Sequence, residues 1–275
     1  MKPEIKFALH DPAHCLAPGL FRSLQRGERR ARKLDLRYQH GDRLFHFRGP
    51  EPLGADDLRV LQGLVAMAGP RGKTIGAAPK TEYGQQLRTL LALRHDAEDE
   101  EALLVKTSYG ALARVIGYLD DDDGRGIRKC VQRLWTVTIW VELNGKGRGL
   151  QLLSSLASDD VSEKLQVALN PHITKAILGH SQHVRICMEE VRLLKGDIAR
   201  LLHQRLCGWI NPGPSRKVGL HTLCEYAWPE PATPSTLKKR RYRARGAVAE
   251  LRLIGWTVEE CGREYFNIKR PNIPA

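Results

Sequence analysis

One pattern occurs twice along this chain and limits how it can fold: an amphipathic helix with one basic face, followed by two short β-branched runs around a turn. In the first copy, Gly124 to Trp135 places its apolar residues at i, i+3, i+4 and i+7. The β-branched run Thr136 to Leu143 follows, then the turn Asn144-Gly145 and a second run from Gly149 to Leu153. This copy therefore predicts a helix followed by a β-hairpin.

The second copy begins at Thr233-Pro234, an N-cap residue followed by proline at the first helical position. It predicts a helix that reaches about Ile254 and ends at Gly255. A second hairpin is predicted from the alternation in Trp256 to Glu260 and Glu264 to Ile268. Shorter helices are predicted upstream of these copies over Ala55 to Ala68 (ended by Gly69-Pro70), Ser108 to Gly117, Gly196 to Ile210 and His221 to Tyr226.

The order helix, turn, basic helix and hairpin is the layout of a winged helix-turn-helix, whose second helix enters the major groove of DNA. The sequence therefore predicts an α+β protein, mainly helical, with two winged helix-turn-helix domains in tandem. We place the N-terminal domain, with its basic N-terminal segment, at residues 1–178 and the C-terminal domain at 179–275. The joint between them is predicted between Asn170 and His183.

The charge of the chain indicates a polyanionic partner. Lys and Arg number 44 against 31 Asp and Glu, which gives a net charge of +13 with neutral His. Ten Lys and Arg against four Asp and Glu lie from Ser235 onward. A second basic segment, Arg22 to Arg37, is interpreted as an arm that lies on phosphates. The acidic clusters His95 to Glu101 and Asp120 to Asp123 are interpreted as solvated loops that face away from DNA.

Candidate contacts with double-stranded DNA are the polar residues on the two basic helices and near the hairpin tips, because Lys and Arg bind phosphates and Arg also pairs with guanine. The first copy contributes Arg125, Arg128, Lys129, Gln132, Arg133, Lys146 and Arg148, and the second contributes Lys238, Lys239, Arg240, Arg241, Tyr242, Arg243, Arg245 and Arg263. For Tyr242, a hydrogen bond to phosphate and packing on its basic neighbours stay equally open. A merely solvated basic surface is the alternative for the whole set.

No catalytic, cofactor or metal site is predicted. Gly72-Lys73-Thr74 resembles part of a phosphate-binding loop, but Met67 stands where that motif needs a glycine. A rolling-circle nickase would need two histidines flanking one apolar residue, and the sequence has no such triplet. His10 and His14 have the spacing of a helical zinc pair, yet Pro12 between them opposes a helix.

The sequence also favours a protein of the bacterial cytoplasm. Its longest apolar stretch, Val60 to Gly69, is shorter than the ~20 residues that a membrane-spanning helix needs. The N-terminus has no uninterrupted apolar region of the kind found in signal peptides. Six scattered cysteines form no C-x-x-C pair, which favours buried, reduced thiols.

Four long segments closely resemble the RepC replication initiators of IncQ-type plasmids. They are HDPAHCLAPGLFRSLQRGERR (His10 to Arg30), GPEPLGADDLRVLQGLVAMAGP (Gly49 to Pro70), VALNPHI (Val167 to Ile173) and ARLLHQRLCGWINPG (Ala199 to Gly213). The resemblance spans nearly the whole chain and is weakest in Arg71 to Glu101 and around Asp120 to Arg125.

This resemblance implies a non-enzymatic initiator that binds directly repeated iterons in a plasmid origin. Such an initiator opens an adjacent A+T-rich region and works with plasmid-encoded helicase and primase, and a homodimer is possible. The helices that would enter the major grooves correspond to Arg125 to Arg133 and Ser235 to Arg245. A winged-helix transcription regulator, including a repressor of its own gene, is the main alternative. A nicking enzyme and a basic interaction protein are further alternatives.

Overall fold

The computed structural model describes residues 5–25, 27–91, 100–118, 124–159 and 163–272. Within these ranges the chain forms an α+β fold with eleven α-helices, thirteen strands and one short 3-10 helix. The helices are α1 Pro12–Leu16, α2 Glu28–Ala31, α3 Ala55–Arg71, α4 Glu82–Leu91, α5 Tyr109–Ile116, α6 Gly124–Thr136, α7 Pro171–Ile177, α8 Met188–Leu193, α9 Asp197–Trp209, α10 Leu220–Ala227 and α11 Pro234–Leu251, with the 3-10 turn Arg252–Ile254 after α11.

The strands form four antiparallel sheets, with orders β1-β10, β2-β3-β6-β7, β4-β5-β9-β8 and β11-β13-β12. They are β1 Phe7–His10, β2 Leu34–His40, β3 Arg43–Gly49, β4 Lys73–Ile75, β5 Ala102–Ser108, β6 Thr138–Leu143, β7 Lys146–Gln151, β8 Leu153–Asp159, β9 Lys164–Leu169, β10 Val184–Cys187, β11 Ser215–Gly219, β12 Thr257–Glu260 and β13 Tyr265–Lys269. In the described part of the chain, every helix is too short or too polar to span a bilayer.

The C-terminal half is built from α9, β11, α10, α11 and the β12–β13 hairpin. Helix α11 packs against both α9 and α10, and its buried residues include Ala244, Val248 and Leu251. Strand β13 lies between β11 and β12, so the hairpin and the strand that precedes α10 form one three-stranded sheet. The predicted hairpin, the Thr233 cap and the helix over 234–254, whose last turn is 3-10, are thus all present.

The N-terminal half is centred on α3, which packs against α5 and α6. Ser108 caps α5 and Gly117 ends it with a positive φ of 79°, as the sequence predicts. The residues spaced for burial on α6, namely Ile127, Cys130, Val131 and Leu134, are at most 4% exposed. The β6–β7 hairpin follows α6, but its sheet partner is β3, which precedes α3 in the chain.

One continuous apolar core joins the two halves. Strand β1 near the N-terminus pairs with β10, and α1 packs on α9. In the buried interface between α3 and α9, the side-chain amide of Gln62 donates to Gln204 Oε1 at 2.7 Å. Strand β1 and helix α1 are therefore part of the interface with the C-terminal half.

Two details of the predicted elements are wrong. Helix α3 continues through Gly69-Pro70 to Arg71, because a proline in the last turn removes only one backbone hydrogen bond while the buried face of α3 holds the helix in place. Lys146 and Arg148 lie within strand β7, since the turn itself is only Asn144-Gly145, with positive φ at both residues. Strands β1, β2, β3, β4, β5, β8, β9 and β10 were not predicted at all.

Candidate nucleic-acid interface

Helix α11 begins at a well-defined cap. Thr233 Oγ1 accepts a hydrogen bond from the Thr236 backbone N–H at 3.4 Å, and Pro234 occupies the first turn. The buried residues of the helix, Ala244, Ala247, Val248 and Leu251, lie in its C-terminal half, while most residues of its first two turns are exposed. The strongly basic N-terminal half of α11 therefore extends from a helix whose C-terminal half is anchored in the core.

Two arginines of α11 flank an aromatic ring at the end of α10. The guanidinium carbons of Arg240 and Arg243 lie 5.8 and 5.4 Å from the ring centroid of Trp228, which is itself buried. Arg240 Nη1 also donates to the backbone carbonyl of Glu230 at 2.6 Å. These contacts fix the connection between α10 and α11. Because Arg240 makes two of them, we describe it as a structural residue first and a candidate DNA contact second.

Two more arginines connect α11 with the β12–β13 hairpin. Arg245 forms an ion pair with Glu260 and donates to the backbone carbonyl of Arg263. Arg241 Nε lies 3.9 Å from Glu264 Oε2. The predicted wing residue Arg263 is exposed, but the hairpin around it carries these two carboxylates. Pairing with α11 offsets their charge, so they repel phosphate less than the sequence suggests.

The exposed basic and aromatic residues in the first half of α11, including Arg241 and Arg243, form what we call the basic face of α11: Lys238, Lys239, Arg241, Tyr242 and Arg243. Tyr242 is 81% exposed, so among the described residues it has little packing to explain its position. Gly246, one turn beyond Tyr242, is also exposed, and a Cβ built on it meets nothing within 4 Å. A mid-helix glycine costs about 1 kcal/mol relative to alanine, and it leaves the helix backbone open to close approach.

On α6 the structure separates the predicted contacts into two groups. Arg125, Lys129 and Gln132 are exposed, whereas the Arg128 guanidinium lies 4.7 Å from the ring centroid of Tyr109 and is half-buried. The first three are available to a ligand on the outer side of α6, and Arg128 also contributes to packing against α5.

Arg133 differs from its neighbours because a buried carboxylate holds it. Its Nε donates to Asp57 Oδ1 at 2.9 Å, and the other oxygen of Asp57 accepts from Arg29 Nη1 at 2.7 Å. The Asp57 side chain is fully buried, and it also accepts the backbone N–H of Gly54 at the start of α3. Arg133 was predicted as a DNA contact, but its geometry is that of a structural ion pair.

On the β6–β7 hairpin, Lys146 pairs with Leu143 and Arg148 pairs with Val141. Paired residues share a face, so Lys146 and Arg148 lie on the inward face of their sheet. They line a cleft of about 400 Å³. Arg43 and Lys175 join them there, and Lys175 Nζ lies 2.8 Å from Glu100 Oε2. Of the two acidic clusters interpreted as solvated loops, Asp120 to Asp123 and the part of His95 to Glu101 before Glu100 lie outside the described residues.

Several exposed basic and aromatic residues were missed by sequence reasoning. Lys217 on β11, Lys269 on β13 and Tyr265 share one face of the C-terminal sheet, and Lys217 Nζ lies 4.7 Å from the Tyr265 ring centroid. These residues lie on short strands, so they do not produce the helical spacing of basic residues by which the other candidates were found. Their shared face becomes visible only when β11 pairs with β13.

The basic segment Arg22 to Arg37 was predicted as an arm that lies on phosphates, but its described residues pack against the rest of the protein. Arg22 forms ion pairs with Glu28 and Glu230, and Arg29 pairs with Asp57. Its C-terminal residues enter strand β2. Several of its charges are used within the protein because long-range carboxylates, invisible to a local pattern, lie beside them.

One group among the described residues could supply metal ligands: Glu190, His203 and Cys207. His203 Nε2 lies 2.6 Å from Glu190 Oε2 and 3.5 Å from Cys207 Sγ. The first distance is that of a direct hydrogen bond and leaves no room for an ion between the two atoms. Burial disfavours the imidazolium, but contacts with Cys207 and Glu190 outweigh it and raise the pKa of His203 to about 9. The group is best described as a buried ion pair.

All six cysteines are free. Cys15, Cys130, Cys207 and Cys224 are buried as predicted, but Cys187 is only partly buried and Cys261 is exposed, so the prediction of burial is wrong for these two. No zinc pair was predicted at His10 and His14, on the ground that Pro12 opposes a helix. That ground is wrong, because α1 begins at Pro12 after an Asp11 cap, but His10 lies in β1 and so does not share this helix with His14. His14 Nδ1 lies 3.0 Å from Asp11 Oδ1.

Comparison with known proteins identifies the family. A family model described as Replication protein C (RepC) matches residues 2–272. None of the curated protein sequences matches the chain. A selenomethionine crystal structure of domains 2 and 3 of RctB is similar at a TM-score of 0.59 and 10% identity, over 96% of this chain and 99% of that one. Another crystal structure of RctB domains 2 and 3 gives a TM-score of 0.53 and 13% identity, with 94% and 96% coverage.

The RctB structures share the fold of this chain at an identity too low to carry more than that. The family match extends over almost every residue, and it includes the segments with the basic helices α6 and α11. This protein therefore belongs to the RepC family of replication proteins.

Proposed function

We propose that this chain initiates plasmid replication by binding directly repeated iterons at an origin. The observation that carries the proposal is the basic face of α11, held at its position by Trp228 and by the β12–β13 hairpin. The order α9, β11, α10, α11, β12 and β13, with β13 between β11 and β12, supports a winged helix-turn-helix assignment. In that assignment α11 enters the major groove.

A second winged helix-turn-helix is proposed for the N-terminal half, from α3, α5, α6 and the β6–β7 hairpin. Its recognition helix would be α6, with Arg125, Lys129 and Gln132 toward DNA. The departure from the simplest arrangement is that the hairpin pairs with β3 instead of a strand between the helices. The basic cleft of Lys146, Arg148, Arg43 and Lys175 would then contact phosphates beside α6.

In this proposal the two helices occupy successive major-groove faces of one repeat, and neighbouring copies of the protein bind neighbouring repeats. Strain from the bound array opens adjacent A+T-rich DNA, where pyrimidine–purine steps unstack most easily. The plasmid's helicase and primase then load on the open strands. The resemblance to initiators of IncQ-type plasmids supports this sequence of events, which needs no catalytic residue in this chain.

A footprinting titration on origin DNA tests the proposal against a transcription regulator. We expect protection of each direct repeat in turn, in complexes whose number equals the number of repeats and which survive scrambled competitor. Protection of a single palindrome, with none over the repeats, would favour the regulator. Supercoiled origin DNA incubated with protein and Mg²⁺ should stay unnicked, and a site-specific nick would contradict the non-enzymatic assignment.

A further inference from the structure

A half-exposed tryptophan lies on the outer face of the β2-β3-β6-β7 sheet. Trp140 projects from β6 on the side opposite the buried residues Ile139 and Val141, and 49% of it is exposed. A Cβ built on Gly147 of β7 would lie only 2.0 Å from Trp140 Cζ2, and one on Gly149 would lie 3.7 Å from Cε3. The indole therefore rests on strand backbone that two glycines leave bare.

Beside the indole is a cleft of about 270 Å³. Its lining includes the cation Arg48, the side-chain amide of Gln151, His46 and Ser154. Ser154 is the extra residue of a β-bulge, since the register between β8 and β9 shifts between Leu153 and Ser155. Bulges of this kind redirect a side chain and are frequent beside functional sites.

The Ser154 hydroxyl adds a polar group to the lining of the cleft. The residue is 7% exposed, and its Oγ has no hydrogen-bond partner among the described residues. Buried polar groups are normally paired, so the lining of this cleft contains a hydroxyl whose hydrogen-bonding capacity is unused by the described residues. The cleft thus combines a flat aromatic surface, a cation and polar groups that can pair with a base edge.

The charges on this sheet face come from several strands. On β2 and β3 they are Arg37, Arg48 and Asp35, and His46 Nε2 lies 2.6 Å from Asp35 Oδ1. That hydrogen bond lowers the pKa of the Asp35 carboxyl. Glu142, two residues after Trp140 on β6, lies on the same face and pairs with Gly147. Arg48 Nε also donates to His46 Nε2 at 3.1 Å, so Asp35, His46 and Arg48 form one network, in which Arg48 is the cation that lines the cleft.

We propose that Trp140 and its cleft bind an unpaired base of single-stranded DNA. Stacking on an exposed aromatic ring is how proteins hold unpaired bases, and Arg binds the adjoining phosphate. This inference rests on the proposed function, because opening of the A+T-rich region supplies unpaired bases. A base captured on Trp140 would keep the opened strand from closing until a helicase arrives.

The test uses the whole protein and fluorescence anisotropy with labelled oligothymidylate. Trp140→Ala should weaken binding of oligothymidylate by roughly 5- to 100-fold, the effect of one lost stacked base. Trp140→Phe should retain most of the affinity, because a smaller ring can still stack. Trp209→Ala, which removes another partly exposed tryptophan outside the cleft, is the matched control and should bind as the wild type does.

Binding to a duplex of the direct repeats is measured on the same preparations. Unchanged duplex binding by Trp140→Ala with lost oligothymidylate binding supports the inference. Equal oligothymidylate binding by the wild type and Trp140→Ala overturns it, even if the repeats are bound. A change in sedimentation of Trp140→Ala with unchanged oligothymidylate binding also overturns it and makes this face an interface between copies. Failure of the wild type to prefer the repeats contradicts the proposed function separately.

Discussion

Replacement of Asp57 by alanine should destabilise the protein strongly, because this one carboxylate serves three partners. It accepts from Arg29 at 2.7 Å, from Arg133 at 2.9 Å and from the Gly54 backbone N–H at 2.8 Å, and its side chain has no exposed surface. Loss of one member of a buried ion pair costs about 3–5 kcal/mol, and loss of a helix cap about 1 kcal/mol.

The two guanidinium groups reduce that cost, since Arg29 and Arg133 are 27% and 17% exposed and regain some water when the carboxylate is removed. We expect a net loss of about 2–4 kcal/mol for Asp57→Ala, or a fall in Tm of roughly 5–15 °C. Asp57→Asn keeps a cap acceptor and should lose less. Asp56→Ala, at the exposed neighbouring position, should change stability by less than ~0.5 kcal/mol.

Urea unfolding followed by circular dichroism measures all three variants. If Asp57→Ala unfolds within ~0.5 kcal/mol of the wild type, the buried network does not stabilise the fold as argued.

Arg133→Ala should also be less stable than the wild type, yet bind DNA normally when folded. Lys129→Ala, one turn away and exposed, should show the opposite result. Equal loss of affinity in these two variants would return Arg133 to the DNA contacts.

Three further results are expected. Arg245→Ala should loosen the β12–β13 hairpin, seen as faster amide exchange in it, whereas unchanged exchange would mean that the Glu260 contact does not hold the hairpin. The pKa of His203 is raised from 6.5 to about 9, so its contribution to stability is complete below pH 6.5 and is lost as pH rises through 9. The urea midpoint of unfolding should therefore fall across this pH range in the wild type, and it should change less with pH in His203→Gln. Gly246→Ala should stabilise the protein by about 0.5–1 kcal/mol and weaken DNA binding, and unchanged affinity would show that DNA does not approach the α11 backbone there.

Helices α3, α5, α6, α9, α10 and α11 could be predicted because each carries its own evidence in sequence, whereas α1, α2, α4, α7 and α8 were not predicted. The spacing of Ile127, Cys130, Val131 and Leu134 on α6 specifies which face is buried, and all four are buried. Local signals at Ser108 and Thr233 likewise mark real caps. The α+β class of the fold follows from such local patterns and is confirmed.

The strands of the N-terminal half could not be predicted in the same way. Strand β3 lies between β2 and β6, and Phe47 pairs with Ile139, ninety-two positions along the chain. Only that pairing makes Phe45 and Phe47 core residues, and a short apolar run gives no sign of its distant partner. The spacing of apolar residues therefore identifies which face of a helix or strand is buried, but it does not identify the distant element that covers that face.

The same limit applies to the candidate interface. Lys129 and Arg133 look equivalent on α6, and only Asp57 on α3 separates an exposed cation from a structural one. Arg240 and Arg245 are distinguished from Lys239 by Trp228 and by the hairpin in the same manner. A charge pattern locates a basic helix, but long-range partners decide which charges remain available to DNA.

The central claim is that the basic face of α11 reads the direct repeats, and its most direct test is an equilibrium binding titration at two salt concentrations. Wild-type protein should prefer the repeats over scrambled DNA by about 10³-fold or more. Lys239→Ala and Arg243→Ala should each weaken repeat binding, by about 1–3 kcal/mol where a base contact is lost or with a salt slope reduced by about 1 where a phosphate contact is lost. Equal affinity of the wild type for both DNAs, or binding by both variants identical to that of the wild type, would contradict the claim.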